Sequence, residues 1–285
     1  MLSIANRNGT HGLIRGKNKY EVPFIYDVNV PSELIAMISD ENNEIIFDNV
    51  SYINYLIRMF NHYGEIYDLD ANILAAQAYA ESAFKVWNYA PYPSTATGLT
   101  QFLIGTMFEV IIENKYIVDP KFTQDEINKI IQNVEQPYSI ESYRVGGNRN
   151  LNQNDSNFEN RSRSRKNRFY LLLNAMNNPD LMIKAQCRYM KYIANRNNNL
   201  ASNTLFAYNR GSSFRSHNYT GIINEARKRR GDDYIQEGIK YVEKIFGILG
   251  DKYNKITHGK PNDKYFGYKL DLDSDKFDSF NADAG

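Results

Sequence analysis

The 285-residue chain has one cysteine, four histidines and no long apolar run, and each shortage removes a class of function. A single thiol, Cys187, can form neither an intramolecular disulfide nor a cysteine-rich metal site. It falls in the apolar stripe of a predicted helix, where a buried, inert thiol is expected. The histidines, His11, His62, His217 and His258, are scattered without HExxH or HxH spacing, so no zinc site is expected. No stretch approaches the roughly 18–20 apolar residues that span a bilayer. The opening residues, Met1-Leu2-Ser3-Ile4-Ala5-Asn6-Arg7, lack the sustained apolar core of a secretory signal. Charge of one sign is missing too. A formal net charge of +1 gives no field that would steer the chain to nucleic acid or to an anionic membrane.

What is present suits a globular protein. Hydrophobic residues make up 42% of the chain, enough to bury a core in one large domain or two small ones. Residues 1–47 mix Gly, Asn and Pro with short apolar patches and read as an irregular N-terminal arm. Within it a short strand is expected near Val22–Val28 and a short helix after Pro31. Residues 48–249 carry helical periodicity and make the expected domain, whose class is mainly α. A polar insertion interrupts it around 140–168. Between Asn148 and Arg168 lie seven Asn and five Arg, a composition that builds no core and reads as a surface loop. Its arginines could meet an acidic polymer; a merely solvated loop is the default. Residues 250–285 form a Lys-, Asp- and Asn-rich C-terminal tail without a clear helix.

The sharpest helix start is Asp70, a capping carboxylate with Leu69 and Leu74 at the two positions of a hydrophobic staple. The alanine-rich run 71–80 then favours helix strongly, and its small side chains let neighbours approach. Glu81 ends it. A carboxyl group at the end of a buried apolar helix is desolvated, which raises its pKa and lets it serve as a proton donor near neutrality. The bland reading is an outward-turned helix-end glutamate. Downstream, predicted helices run over 106–135 with a break at Pro120, from Asn178-Pro179 with Ile183, Cys187, Met190 and Ala194 as the buried stripe, and from Ser202 or Asn203 to Gly211. Two more run from Thr220 to Gly231 and from Asp232 or Asp233 through Gly247.

The residues after Glu81 sharpen the reading. Glu81-Ser82-Ala83-Phe84 is followed by a loop over 85–93 and then by Thr95-Ala96-Thr97-Gly98-Leu99-Thr100-Gln101-Phe102. This segment resembles the lysozyme-like lytic transglycosylases of the soluble, family 1 type and the related goose-type lysozymes, whose pattern is Glu-Ser-x-Phe, a short loop, then Gly-Ala-x-Gly-Leu-Met-Gln. Phe206-Ala207-Tyr208-Asn209-Arg210-Gly211 is similar to the family's Ala-Tyr-Asn-Ala-Gly. Glu237-Gly238-Ile239-Lys240-Tyr241-Val242 is similar to its Glu-Thr-x-x-Tyr-Val. The three motifs keep the family's order across about 165 residues.

The resemblance implies a lysozyme-like fold and Glu81 as the catalytic acid. It implies that Ser82, Ser94, Gly98, Leu99, Gln101, Tyr208, Asn209, Glu237 and Tyr241 bind substrate, with Tyr208 hydrogen-bonding near the acid and Glu237 bracing the groove. The partner implied is the peptidoglycan glycan strand, cleaved between N-acetylmuramic acid and N-acetylglucosamine with no metal or cofactor. This chain departs from the pattern in places. Its first loop is about two residues longer, so Tyr92 and Ser94 compete for the family's serine. Thr95 stands for a glycine, Thr100 for a methionine and Arg210 for a small residue. Trp87 and Tyr89 are either sugar platforms or loop anchors. No second acid lies between Glu81 and Gln101, and Glu109 is the next one. An ordinary glycosidase needs two carboxylates, whereas the family's mechanism needs one. Lysozyme-type hydrolysis and a non-catalytic, wall-binding virion protein are the alternatives. With no signal segment, a phage virion, as a tail or internal protein among other virion proteins, is the expected location. The alternative is the bacterial envelope reached by non-classical export.

Overall fold

The computed structural model describes residues 3–7, 11–17, 23–28, 50–84, 96, 98–134, 170–171, 174–175 and 177–249, with the strands before residue 29 and residues 50–54 described as backbone only. The described residues are mainly helical, as the periodicity requires. Among them no helix is long and apolar enough to cross a membrane. The helix expected after Pro31, the polar insertion and the C-terminal tail lie outside the described residues.

The arm is less irregular than its composition suggests. Strands β1 (Ser3–Arg7), β2 (His11–Lys17) and β3 (Pro23–Val28) form an antiparallel meander in the order β1-β2-β3. The strand expected near Val22–Val28 is its third member. The first pair runs from Ser3↔Arg15 to Arg7↔His11, and the second from Gly12↔Val28 to Lys17↔Pro23. The apolar patches are too short and too broken by Gly and Asn for alternation alone to reveal the first two strands.

Eight α-helices are described: α1 (Val50–Tyr67), α2 (Ala71–Ser82), α3 (Ile104–Met107), α4 (Gln124–Ile130), α5 (Pro179–Asn195), α6 (Ala201–Arg210), α7 (Tyr219–Arg230) and α8 (Asp232–Leu249). Helix α3 continues as a π-helical turn, Phe108–Ile112. The run expected to reach Pro120 therefore stops earlier. Asn114 takes a left-handed φ of 48°, and its side chain bonds both the N–H and the carbonyl of Phe122, a local alternative to continuing the helix. Helix α4 restarts at a capping box in which Thr123 and Glu126 satisfy each other's backbone N–H. Ser202 and Asn203 are not caps. Leu200 holds that position, and both polar residues are fully buried inside α6. Helix α6 ends at Gly211 as the sequence predicts, with φ 118°.

The chain divides into two units that alternate along it. The first comprises Met1–Ile53, Ser82–Lys115 and Lys121–Ala185, and the second Asn54–Glu81, Tyr116–Pro120 and Gln186–Gly285. In the first unit, Lys184 is buried against Glu126 with Nζ 2.7 Å from the carboxylate, and Asn174 caps the end of α4 through the Ile130 and Gln132 carbonyls. In the second unit, α2 is the central helix. Residues 73–78 are all at most 1% exposed, so it has no solvent face over that stretch. The fully buried Arg188 donates to the carbonyls of Tyr116 and Val118, and the Tyr67 hydroxyl donates to that of Pro120, which ties residues 116–120 into this unit.

Helices α6 and α8 meet at Gly238. A Cβ there would lie 2.6 Å from Phe206 Cε2 and 2.7 Å from Arg210 Cγ. Gly238→Ala should therefore cost about 1–3 kcal/mol, the usual cost of overpacking, in urea unfolding. A midpoint equal to wild type would show that the two helices do not approach this closely.

Candidate catalytic site around Glu81

The two ends of α2 explain where Glu81 sits. At the start, Asp70 Oδ1 accepts from the Asn72 backbone N–H at 2.8 Å and from Asn72 Nδ2 at 3.0 Å. At the other end, Ala83 (φ 49°) and Phe84 (φ 60°) both take left-handed conformations, which cost a non-glycine residue roughly 1–3 kcal/mol each. Burial of the Phe84 side chain, 3% exposed, holds them there. The helix thus stops at Ser82 and leaves Glu81 in its last turn. A carbonyl of that turn, Ala80 O, accepts from Lys244 Nζ at 2.6 Å, a cation placed at a helix C-terminus.

Glu81 is half-buried, with its Oε1 accepting from the Tyr241 hydroxyl at 2.6 Å. Burial pushes its pKa up to about 7; the Tyr241 hydrogen bond and the Lys244 charge pull it back only in part. Burial, then the charge of Glu81 and the Tyr208 phenol, raise Tyr241 well above the usual tyrosine range, so its hydroxyl stays protonated. Behind it, Gln77 Nε2 donates to the Tyr241 oxygen at 3.1 Å, and Gln186 Nε2 donates to Gln77 Oε1 at 2.8 Å and to Leu74 O at 3.0 Å. A carboxyl titrating near neutrality can give a proton and take one back, which is what acid–base cleavage of an acetal requires.

The other motif residues of the second unit form their own cluster. Arg210, which stands where the resembling family has a small residue, donates through Nε to Asn209 Oδ1 at 2.7 Å. Its Nη2 lies 2.5 Å from Glu237 Oε1, and its guanidinium sits 4.7 Å over the Tyr234 ring. Asn209 and Glu237 are thus brought together by a residue that departs from the pattern. The Glu237 side chain remains 67% exposed. Tyr208 packs its ring 5.5 Å from Tyr189.

In the first unit, the Ser82 hydroxyl donates to Leu99 O at 2.8 Å, and Gln101 Nε2 donates to Gly98 O at 2.9 Å. Gly98 and Gln101 both have positive φ, 74° and 48°, which makes residues 98–101 a tight turn. The Leu99 side chain is 1% exposed and belongs to the core. Ser94, Trp87, Tyr89 and Tyr92 lie outside the described residues. Among those described, no three His, Cys, Asp or Glu side chains gather where they could hold a metal ion. Cys187 is buried, and burial raises its thiol pKa well above the ordinary value.

Gln77, Gln186 and Lys244 escaped the sequence reading. Gln77 left a signal, as the one amide within the apolar stretch 73–80 and four residues before Glu81. Compared with models of known protein families, with curated proteins and with solved structures, the chain matches none.

Proposed function

We propose that the chain is a lysozyme-like enzyme that cleaves peptidoglycan glycan strands as a lytic transglycosylase, with Glu81 as its single acid and base. The observation that carries the reading is the state of Glu81: a half-buried carboxyl at a helix end, near pKa 7, with a tyrosine hydroxyl on one oxygen. The three ordered motifs supply the substrate class. Glu81 protonates the oxygen joining N-acetylmuramic acid to N-acetylglucosamine, and the bond from that oxygen to the muramic C1 breaks. The substrate's acetamido group stabilises the positive carbon. The muramic C6 hydroxyl then attacks C1 and returns its proton to Glu81, which leaves a 1,6-anhydro end and the enzyme unchanged.

Among the described residues, the groups that act on the charge of Glu81 are Tyr241 and Lys244, a phenol and an ammonium. That suits a one-acid mechanism better than a paired-carboxylate one. Glu237, Asn209 and Arg210 offer sugar-binding polar groups. Delivery in a phage virion is part of the proposal and rests on the sequence alone.

Mass spectrometry of muropeptides released from purified sacculi tests the reaction type. Anhydromuropeptides, lighter by one water than the hydrolysed forms, are expected. Reducing muramic ends alone would move the assignment to lysozyme-type hydrolysis. No release at all, from a folded protein that still sediments with sacculi, would favour a wall-binding role without catalysis.

A further inference from the structure

The buried amides behind Tyr241 have a direction, and one backbone group sets it. The carbonyl of Leu74 can only accept. Gln186 reaches it with Nε2 at 3.0 Å, and the same nitrogen lies 2.8 Å from Gln77 Oε1. Turned over, Gln186 would set its own oxygen against the Leu74 oxygen, two acceptors with no proton between them. The orientation is held although Gln186 Oε1, fully buried, accepts no hydrogen bond among the described residues. Gln77 Oε1 is then occupied by Gln186, so its nitrogen faces Tyr241, 3.1 Å away, and the phenol oxygen accepts. The phenol's one proton is left for Glu81 Oε1 at 2.6 Å. Among the described residues, the other charged or titratable groups bearing on this pair are Lys244, whose ammonium caps Ala80 O, and the Tyr208 phenol.

We infer that Gln186 and Gln77 are positioning residues that hold the Tyr241 hydroxyl as a standing donor to Glu81 Oε1 in both charge states of Glu81, leaving Oε2 as the oxygen that carries and delivers the proton. Delivery from Oε2 rests on the acid role proposed above, whereas the direction of the hydrogen bonds does not. Without the amides, a neutral Glu81 can turn its own O–H toward Tyr241 and park the proton on the wrong oxygen. The relay also strengthens the phenol as a donor, since a hydroxyl that accepts is polarised to donate.

The test is a double-mutant cycle between Gln186→Met and Tyr241→Phe in the full chain, read by NMR titration of the Glu81 carboxyl carbon. Gln186→Met alone is expected to move that titration upward by a few tenths of a pH unit, because a weaker donor stabilises the carboxylate less. In the Tyr241→Phe background it should move nothing, since the amide acts only through the phenol. An equal shift in both backgrounds, or none in either, overturns the inference. Gln77→Met runs the same cycle should Gln186→Met fail to fold. The titration needs no substrate, so a chain that cleaves no glycan can still pass it, and an active enzyme can still fail it. Where glycan is cleaved, kcat should fall several-fold on Gln186→Met with KM little changed.

Discussion

Glu81→Gln is expected to abolish wall cleavage and at the same time to remove a pH-dependent penalty on stability. The amide nearly matches the carboxyl in shape and can still accept from Tyr241, yet it has no proton to give to a glycosidic oxygen. Losing that step should cost roughly 10²–10⁴-fold or more in rate. The stability effect follows from the same group. Folded Glu81 keeps its proton up to about pH 7, whereas its ordinary value is 4.5. Between those values the folded protein binds more protons than the unfolded chain, so stability falls as pH rises through the window. Wild type should therefore gain roughly 1–3 kcal/mol between pH 8 and pH 4.5 from this group, a range reduced for its partial exposure. The Glu81→Gln protein should lack that component of the slope. Turbidity clearance by the variant within a few-fold of wild type would show that Glu81 is the wrong acid. An unchanged slope would show that its carboxyl is not held above the ordinary value.

The pH profile of cleavage carries the second large effect. With the acid required in its protonated form, kcat/KM on a short soluble glycan should fall above about pH 7, tenfold for each further unit. Tyr241→Phe removes a hydrogen bond that lowers this pKa, and Lys244→Met removes a charge that does the same. Both variants should move the falling limb to higher pH, and so retain more of their own maximal activity at pH 8 than wild type does. A limb near 4.5, or one that either variant moves to lower pH, contradicts the site as drawn.

Parts of this were legible without coordinates because they are local. Asp70 can cap only the helix that follows it, and an alanine-rich run of that length has one good conformation. Glu81 was therefore expected on that helix, although the stop that puts it in the last turn comes from the two left-handed residues Ala83 and Phe84, for which their types gave no warning. The meander in the arm was half legible. The strand near Val22–Val28 was expected, but its two partners come from segments with little alternation of their own.

The amino-acid order by itself determined that an acid ends an alanine-rich helix and that the described residues are mainly α. These depend on neighbours within a turn or two, where spacing fixes geometry. Only the tertiary structure decided which hydroxyl meets that acid. Tyr241 lies 160 residues away and was expected among the substrate-binding residues, yet its oxygen bonds Glu81 on one side and Gln77 on the other. Gln186 reaches Gln77 across 109 residues, and Arg210 joins Asn209 to Glu237 across the α6 and α8 motifs. The reason is physical. A buried polar side chain must find its partner wherever packing brings one within about 3 Å, and that packing is set by the whole apolar core, not by the residues beside it.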